Sequence, residues 1–302
     1  MWRASHRVDL GDVTLAYEVS DERPPAVSAA ARADVEPIAA RPLVIAAHGF
    51  PDDATTFHAQ VPALVAAGYR VVTPTLRGYA PSGVPRSGRY DPVTIARDLL
   101  ALADRLSPGT PVRFVGHDWG AVAGFALVAL APHRVSHFAA LAIPHLRALL
   151  PRMVTPAQLR RSWYMGLFQI PGVAEARLRA ADLALVDRLW RDWSPGHVAS
   201  VEELRSVKRG IRERIGPVLG YYRAIPCVLS GPERRLLLAP TTVATLRLHG
   251  MDDGCIGVAC GRGEERFYEG RFESRQIVNA GHFLQRERPE EVNEALTSFF
   301  AC

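Results

Sequence analysis

The sequence predicts an α/β protein: a mostly parallel central sheet flanked by helices, with an α-helical block inserted late in the chain. Three observations predict it. Continuous apolar runs such as PLVIAAHG (42–49) have the composition of strands buried on both faces of a parallel sheet. These runs alternate with helix-like stretches, the rhythm of βαβ units. From about His145 to Leu238 that rhythm stops, and arginine- and leucine-rich helical segments succeed one another without a convincing strand. The chain accordingly divides into a core, residues 1–144 and 239–302, and a helical lid, residues 145–238.

VDLGDVTLAYEV (8–19) alternates apolar and polar residues around Gly11-Asp12, the pattern of a β-hairpin. Residues 21–41 are rich in alanine and proline and aperiodic, a surface insertion. The apolar strand at 42–47 is followed by a helix-like stretch to Ala67, a strand RVVTPTL (70–76) and a loop, RGYAPSG. Asp91-Pro92 opens a helix with an N-cap residue and a first-turn proline, and Ile95, Leu99 and Leu102 repeat along one face. VRFVGH (112–117) reads as a strand, residues 119–131 as a helix ending before Pro132, and FAALAIP (138–144) as a strand. After the helical block, TVATLRLHG (242–250) and RQIVNAG (275–281) resume the strands, and PEEVNEALTSFF (289–300) closes the chain as a helix.

A chain of 302 residues can bury one large core. No apolar run reaches the roughly 20 residues that span a bilayer, so no membrane association is expected. The N-terminus MWRASHRVDLGD lacks the apolar stretch of a secretory signal, which makes the cytoplasm the expected compartment. Cys227, Cys255, Cys260 and Cys302 show no paired spacing and read as reduced thiols without a metal. The net charge of +5 comes almost wholly from arginines scattered among acids, with Lys208 the single lysine, so nucleic acid is not an expected partner. CGRGEE (260–265) lacks the phosphate-loop and dinucleotide patterns, and no cofactor is expected.

The chemistry concentrates at RFVGHDWGAVAG (113–124). A strand runs into a small-residue helix, with Asp118 at the tip of the turn. Gly116 and Gly120 leave the room that a strained strand-to-helix elbow needs. The helix N-terminus favours a charged carboxylate there. An ionised aspartate is already a nucleophile, with no proton to lose first; the alternative is that Asp118 merely caps the helix. HGFP (48–51) follows the first parallel strand, and the backbone N–H groups of Phe50 and Trp119 can form an oxyanion hole. His282, in NAGHFLQ, lies just past the last strand, and LHGMDDG (248–254) puts Asp252 and Asp253 at the end of the strand before it. Either carboxylate can accept the Nδ1–H of His282 and fix its tautomer. His48 and His117 lie inside these motifs and take packing or hydrogen-bonding roles.

With HGFP and GHDWG in this order, the chain resembles the α/β-hydrolase superfamily over nearly its whole length, and within it the epoxide hydrolase family. The resemblance implies the α/β-hydrolase fold with an inserted cap, Asp118 as nucleophile and His282 as base. The family's Gly-x-x-Asp falls on Gly250 and Asp253, which favours Asp253 over Asp252. It also implies two cap tyrosines: SWYMGLFQIPG (162–172) maps one to Tyr164, and GYYRA (220–224) maps the other to Tyr222, with Tyr221 as the neighbouring candidate. Two phenol O–H groups can donate to the alkoxide left when an epoxide opens. The pocket between sheet and cap is expected to be apolar, lined by Trp119, Trp163 and Phe168, and to take a small lipophilic epoxide and water. A monomer and a homodimer are both compatible with the sequence. The chain departs from the family at Ala80, where relatives usually carry glycine, and at the 21–41 insertion.

Two other readings stay open. A haloalkane-type dehalogenase would use the same aspartate and hold halide through Trp119 and Trp163, although Phe50 occupies the place of a common partner donor. A non-catalytic ligand-binding protein can share the fold. The absence of Ser or Cys at position 118 argues against an esterase, lipase or thioesterase.

Overall fold

The computed structural model describes residues 6–20 and 41–302. Its centre is an eight-stranded sheet in the order β1-β2-β4-β3-β5-β6-β7-β8. The strands are β1 (His6–Asp9), β2 (Thr14–Ser20), β3 (Leu43–Ala47), β4 (Arg70–Pro74), β5 (Val112–His117), β6 (Val135–Leu141), β7 (Ala244–Gly250) and β8 (Phe272–Ile277). β1 and β2 form the antiparallel hairpin, with Gly11 turning at φ +83°, and β2 pairs antiparallel with β4. All other strand pairs are parallel. The insertion expected at 21–41 lies, apart from Arg41, outside the described residues.

The parallel strands are apolar because helices cover both faces. All five residues of β3 are buried. On one face Ile45, Phe114 and Phe138 pack with Ile95 and Leu99 of helix α2 (Pro92–Leu106) and with helix α3 (Trp119–Leu130). On the other, Val44, Val115 and Leu246 pack with Leu64 of helix α1 (Gln60–Ala66) and with Val292, Leu296 and Phe299 of the closing helix Pro289–Phe300. α2 begins as its sequence dictates: the Asp91 carboxylate accepts the Thr94 N–H at 2.9 Å, with Pro92 in the first turn. 

Two strands are displaced from their expected positions. β6 covers Val135–Leu141 rather than 138–144, because Ala142 turns to φ +66° and ends it. β8 covers Phe272–Ile277 rather than 275–281, because Asn279 turns to φ +53°. Its first five residues are only partly buried or exposed, as an edge strand allows, so no apolar run announces it.

Between β6 and β7 the chain is helical, with Trp163–Phe168, Ala184–Trp193, Val201–Arg212 and Ile215–Arg223 among its segments. This block rests on loops that follow the parallel strands. Trp190 Nε1–H donates to Pro51 O at 2.7 Å, after β3, and Tyr221 O–H donates to Arg77 O at 2.7 Å, after β4. Trp193 O accepts the N–H groups of Gly254, after β7, and of His282, after β8, each at 3.0 Å. The insertion thus roofs the carboxyl ends of the sheet, where open α/β sheets place their ligand sites. No helix among the described residues is long and apolar enough to cross a membrane.

Candidate active site

The elbow at Asp118 is built by close backbone approach. A Cβ on Gly116 would lie 2.5 Å from Gly120 C and O, and one on Gly120 would collide with Ala47 O and sit 2.8 Å from His48 O. Glycine at both positions is what lets α3 begin immediately after β5. The residue between them pays in conformation: Asp118 sits at φ +50°, ψ −117°, a region L-residues avoid. Its side chain makes no capping hydrogen bond to its own helix. Instead Oδ1 accepts the Phe50 N–H at 2.8 Å. Gly49 is the third required glycine, since a Cβ there would strike Asp118 Oδ1 and lie 2.7 Å from Trp119 N. Oδ1 is therefore held on the Phe50 amide, while Oδ2 faces His282 Nε2 at 3.6 Å.

His282 is fully buried after β8 and its Nδ1 lies 3.0 Å from Asp253 Oδ2. Asp253 Oδ1 accepts the N–H groups of Cys255 (2.7 Å) and Ile256 (2.8 Å), which aims Oδ2 at the imidazole. Asp252 is exposed and Asp253 buried, so the structure pairs His282 with Asp253. Burial alone would pull the His282 pKa down, but the carboxylates of Asp253 and Asp118 override it and push it up to about 10. Burial opposes ionisation of Asp253, and the facing His282 outweighs it, holding that carboxyl below its ordinary range. His117 is held neutral, its pKa lowered to about 4 by burial, and its Nε2–H donates to His282 O at 2.9 Å. His48 accepts the Leu76 N–H on Nε2 (3.1 Å) and donates from Nδ1 to Gly49 O (3.0 Å), pinning the HGFP loop.

Asp118, Trp119, Tyr164, Tyr222 and Cys255 all border one cavity of about 440 Å³ under the helical block. Its walls are aliphatic, from residues such as Ile143, Leu146, Leu149, Val228 and Leu237. Both tyrosines are buried, and burial raises their phenol pKa well above the ordinary value, so both are O–H donors at neutral pH. The Tyr164 hydroxyl lies 3.5 Å from Cys255 Sγ. The Tyr222 hydroxyl is buried without a hydrogen bond of ordinary geometry, beside the polar atoms of Trp119 and Tyr164. Tyr221, the neighbouring candidate, spends its hydroxyl on Arg77 O and does not border the cavity.

Two expected lining residues are corrected. Trp163 is 38% exposed, stacked under the Arg188 guanidinium at 4.8 Å, and does not border the cavity. On the helix Trp163–Phe168 it lies about 100° from Tyr164, so only one of the two faces inward. Phe168 is fully buried one turn beyond Tyr164, but it stands behind the cavity, edge-on to Phe50 (5.6 Å) and Tyr222 (5.0 Å). It supports the site and does not line it.

Sequence reasoning missed two neighbours of the reacting groups. Cys255 follows Asp253 by two residues, a spacing that could have placed it at the cavity. Trp193, from the inserted block, has no local signal; its ring meets His282 (5.1 Å), Tyr164 (5.0 Å) and Phe50 (6.3 Å).

Comparison with known proteins identifies the family. The family model described as alpha/beta hydrolase fold matches residues 42–192. The chain is 30% identical over 298 residues to Epoxide hydrolase A of Mycobacterium tuberculosis, covering 85% of this chain and 90% of that protein. It is 29% identical to Epoxide hydrolase 3 of Xenopus tropicalis, covering 85% and 71%. Among solved structures, Epoxide Hydrolase A from Mycobacterium thermoresistibile superposes with a TM-score of 0.78 at 29% identity, covering 98% of this chain and 97% of that one. The Bacillus megaterium epoxide hydrolase, solved with an inhibitor, shares the fold with a TM-score of 0.81 at 20% identity, covering 98% and 100%. The chain therefore belongs to the α/β-hydrolase superfamily and, within it, to the epoxide hydrolase family.

Proposed function

We propose that this protein hydrolyses a lipophilic epoxide to a vicinal diol through an ester on Asp118. In this reading Oδ2 of Asp118 attacks an epoxide carbon while the Tyr164 and Tyr222 hydroxyls donate to the departing oxygen. A water held by His282 Nε2 then attacks the ester Cγ, and the Phe50 and Trp119 N–H groups receive the oxyanion on Oδ1. Collapse breaks the Cγ–Oδ2 bond, passes the second water proton to the departing oxygen, releases the diol and restores the carboxylate, one oxygen of which came from water. Asp253 keeps the imidazole tautomer and stabilises the imidazolium.

The charges balance through the cycle. In the resting site His282 is protonated between two carboxylates, its pKa pushed up to about 10. Esterification removes the Asp118 charge, the pKa falls, and His282 gives up its proton as the alkoxide gains one. Neutral His282 is then the base for water, and its proton returns together with the Asp118 carboxylate.

The observation that carries the reading is the meeting, at one apolar cavity, of an uncapped aspartate at a strained elbow with two buried phenols, Tyr164 and Tyr222. A dehalogenase needs a second halide donor beside Trp119; Phe50 offers a phenyl ring, and Trp163 lies outside the cavity. In the same reading residues 145–238 are the lid over the core 1–144 and 239–302. The enzyme is cytoplasmic, needs no cofactor or metal, takes no nucleic acid or membrane partner, and works as a monomer or homodimer. The test is His282→Gln incubated with styrene oxide and with haloalkanes, followed by intact-protein and peptide mass measurement. The reading expects the whole epoxide's mass on Asp118. An alkyl group with halide released would point to the dehalogenase, and no adduct across a broad panel to a binding protein.

A further inference from the structure

We propose that Ser194 and Glu287 are positioning residues for His282, through a lid segment, Asp192–Ser194, wedged between the acid loop and the histidine loop. The inference rests on the roles assigned above to Asp118 and His282. Two glycines admit the wedge. A Cβ on Gly254 would collide with Asp192 O and lie 3.1 Å from Trp193 Cα. One on Gly281 would lie 2.5 Å from Ser194 Cα and 2.6 Å from Trp193 O.

Three consecutive amides around the base are then tied down. Gly281 N–H donates to Glu287 Oε2 at 2.9 Å, His282 N–H to Trp193 O at 3.0 Å, and Phe283 N–H to Ser194 Oγ at 3.2 Å. Ser194 Oγ–H donates in turn to Glu287 Oε1 at 2.6 Å, which closes the network. Trp193 O also accepts the Gly254 N–H, so the residue beside Asp253 and the residue bearing the base hang from one lid carbonyl. Ser194 is fully buried, and a hydroxyl there is not needed for solubility. What the network sets is the direction of the imidazole relative to the Asp118 Cγ.

That direction matters chiefly in the second half of the reaction. In ring opening the bond is broken by Asp118 and the tyrosines, and His282 only makes good their lost proton, whereas ester hydrolysis needs Nε2 aimed at the attacking water. Loosening the clasp should therefore slow hydrolysis and spare alkylation. For Ser194→Ala with styrene oxide, kcat and KM should fall together by about tenfold to a hundredfold, with kcat/KM nearly unchanged. Mass measurement of enzyme quenched at steady state should show the alkyl-enzyme rising to most of the protein. Glu287→Gln, which keeps one carbonyl acceptor, should move both readouts the same way by less, and it decides the matter should Ser194→Ala not fold. A merely structural clasp would lower kcat and kcat/KM alike, or lower stability alone, with no ester building up; that result overturns the inference. His282→Gln is measured alongside. Ester on that variant but not on Ser194→Ala or Glu287→Gln sinks the positioning role alone, while no ester on any of them sinks the assignment of Asp118.

Discussion

Replacing Asp118 by Asn should lower the pKa of His282, because it removes the charge that esterification removes while keeping the shape. Asp118 Oδ2 stands 3.6 Å from His282 Nε2. With an effective dielectric of about 20, two unit charges at that distance attract by roughly 5 kcal/mol. At about 1.4 kcal/mol per pK unit this corresponds to roughly three units as an upper bound. Both charges are spread over two atoms, so we expect a fall of about one to three units. The amide adds to the effect. Its oxygen must stay on the Phe50 N–H, which turns its NH₂ towards Nε2 and favours a neutral acceptor there. The assay is an NMR titration of selectively labelled imidazole carbons in both proteins. Stability supplies a second readout. The folded pKa of about 10 lies above the ordinary value of 6.5, so the charged histidine contributes stability fully below pH 6.5 and loses it as pH rises towards 10. In Asp118→Asn that loss should be complete at lower pH. If His282 titrates within about half a unit of its wild-type value in the variant, the charge switch that couples the two half-reactions is wrong.

Tyr164→Phe combined with Tyr222→Phe should slow single-turnover alkylation by about 10² to 10⁴-fold, since both proton donors to the leaving oxygen are gone. Tyr221→Phe should instead strand the buried Arg77 carbonyl, costing about 1–3 kcal/mol in denaturant unfolding and leaving kcat/KM near wild type. Gly49→Ala drives a methyl group into Asp118 Oδ1, and a displaced nucleophile should cost about a hundredfold in kcat/KM.

The parts of the site that depend on local backbone were readable in the chain. The elbow needs glycine two residues on either side of its tip, because at Gly116 and Gly120 any Cβ meets backbone. The acid follows a strand end marked by an apolar run, and the N-cap of α2 is spelled by Asp91-Pro92. Where a strand lies at the sheet edge, as β8 does, polar residues are tolerated and its limits could not be read. The choice between Asp252 and Asp253 came from the family spacing, and burial beside His282 shows the physical reason for it.

By itself, then, the order of residues determined the α/β architecture, the inserted helical block and the identity of the group at the turn, since each is dictated by neighbours a few positions away. Tertiary structure alone decided which lid side chains reach that group. Tyr221 and Tyr222 are adjacent on one helix, as are Trp163 and Tyr164 on another, and each pair differs by about 100° of rotation. Only the packing of the lid on loops from four separate strands turns Tyr222 and Tyr164 to the cavity, sends Tyr221 to the Arg77 carbonyl and Trp163 to the surface, and wedges Ser194 behind the histidine. Rotational setting of a helix is a property of what it packs against, and those partners lie tens of residues away in the chain.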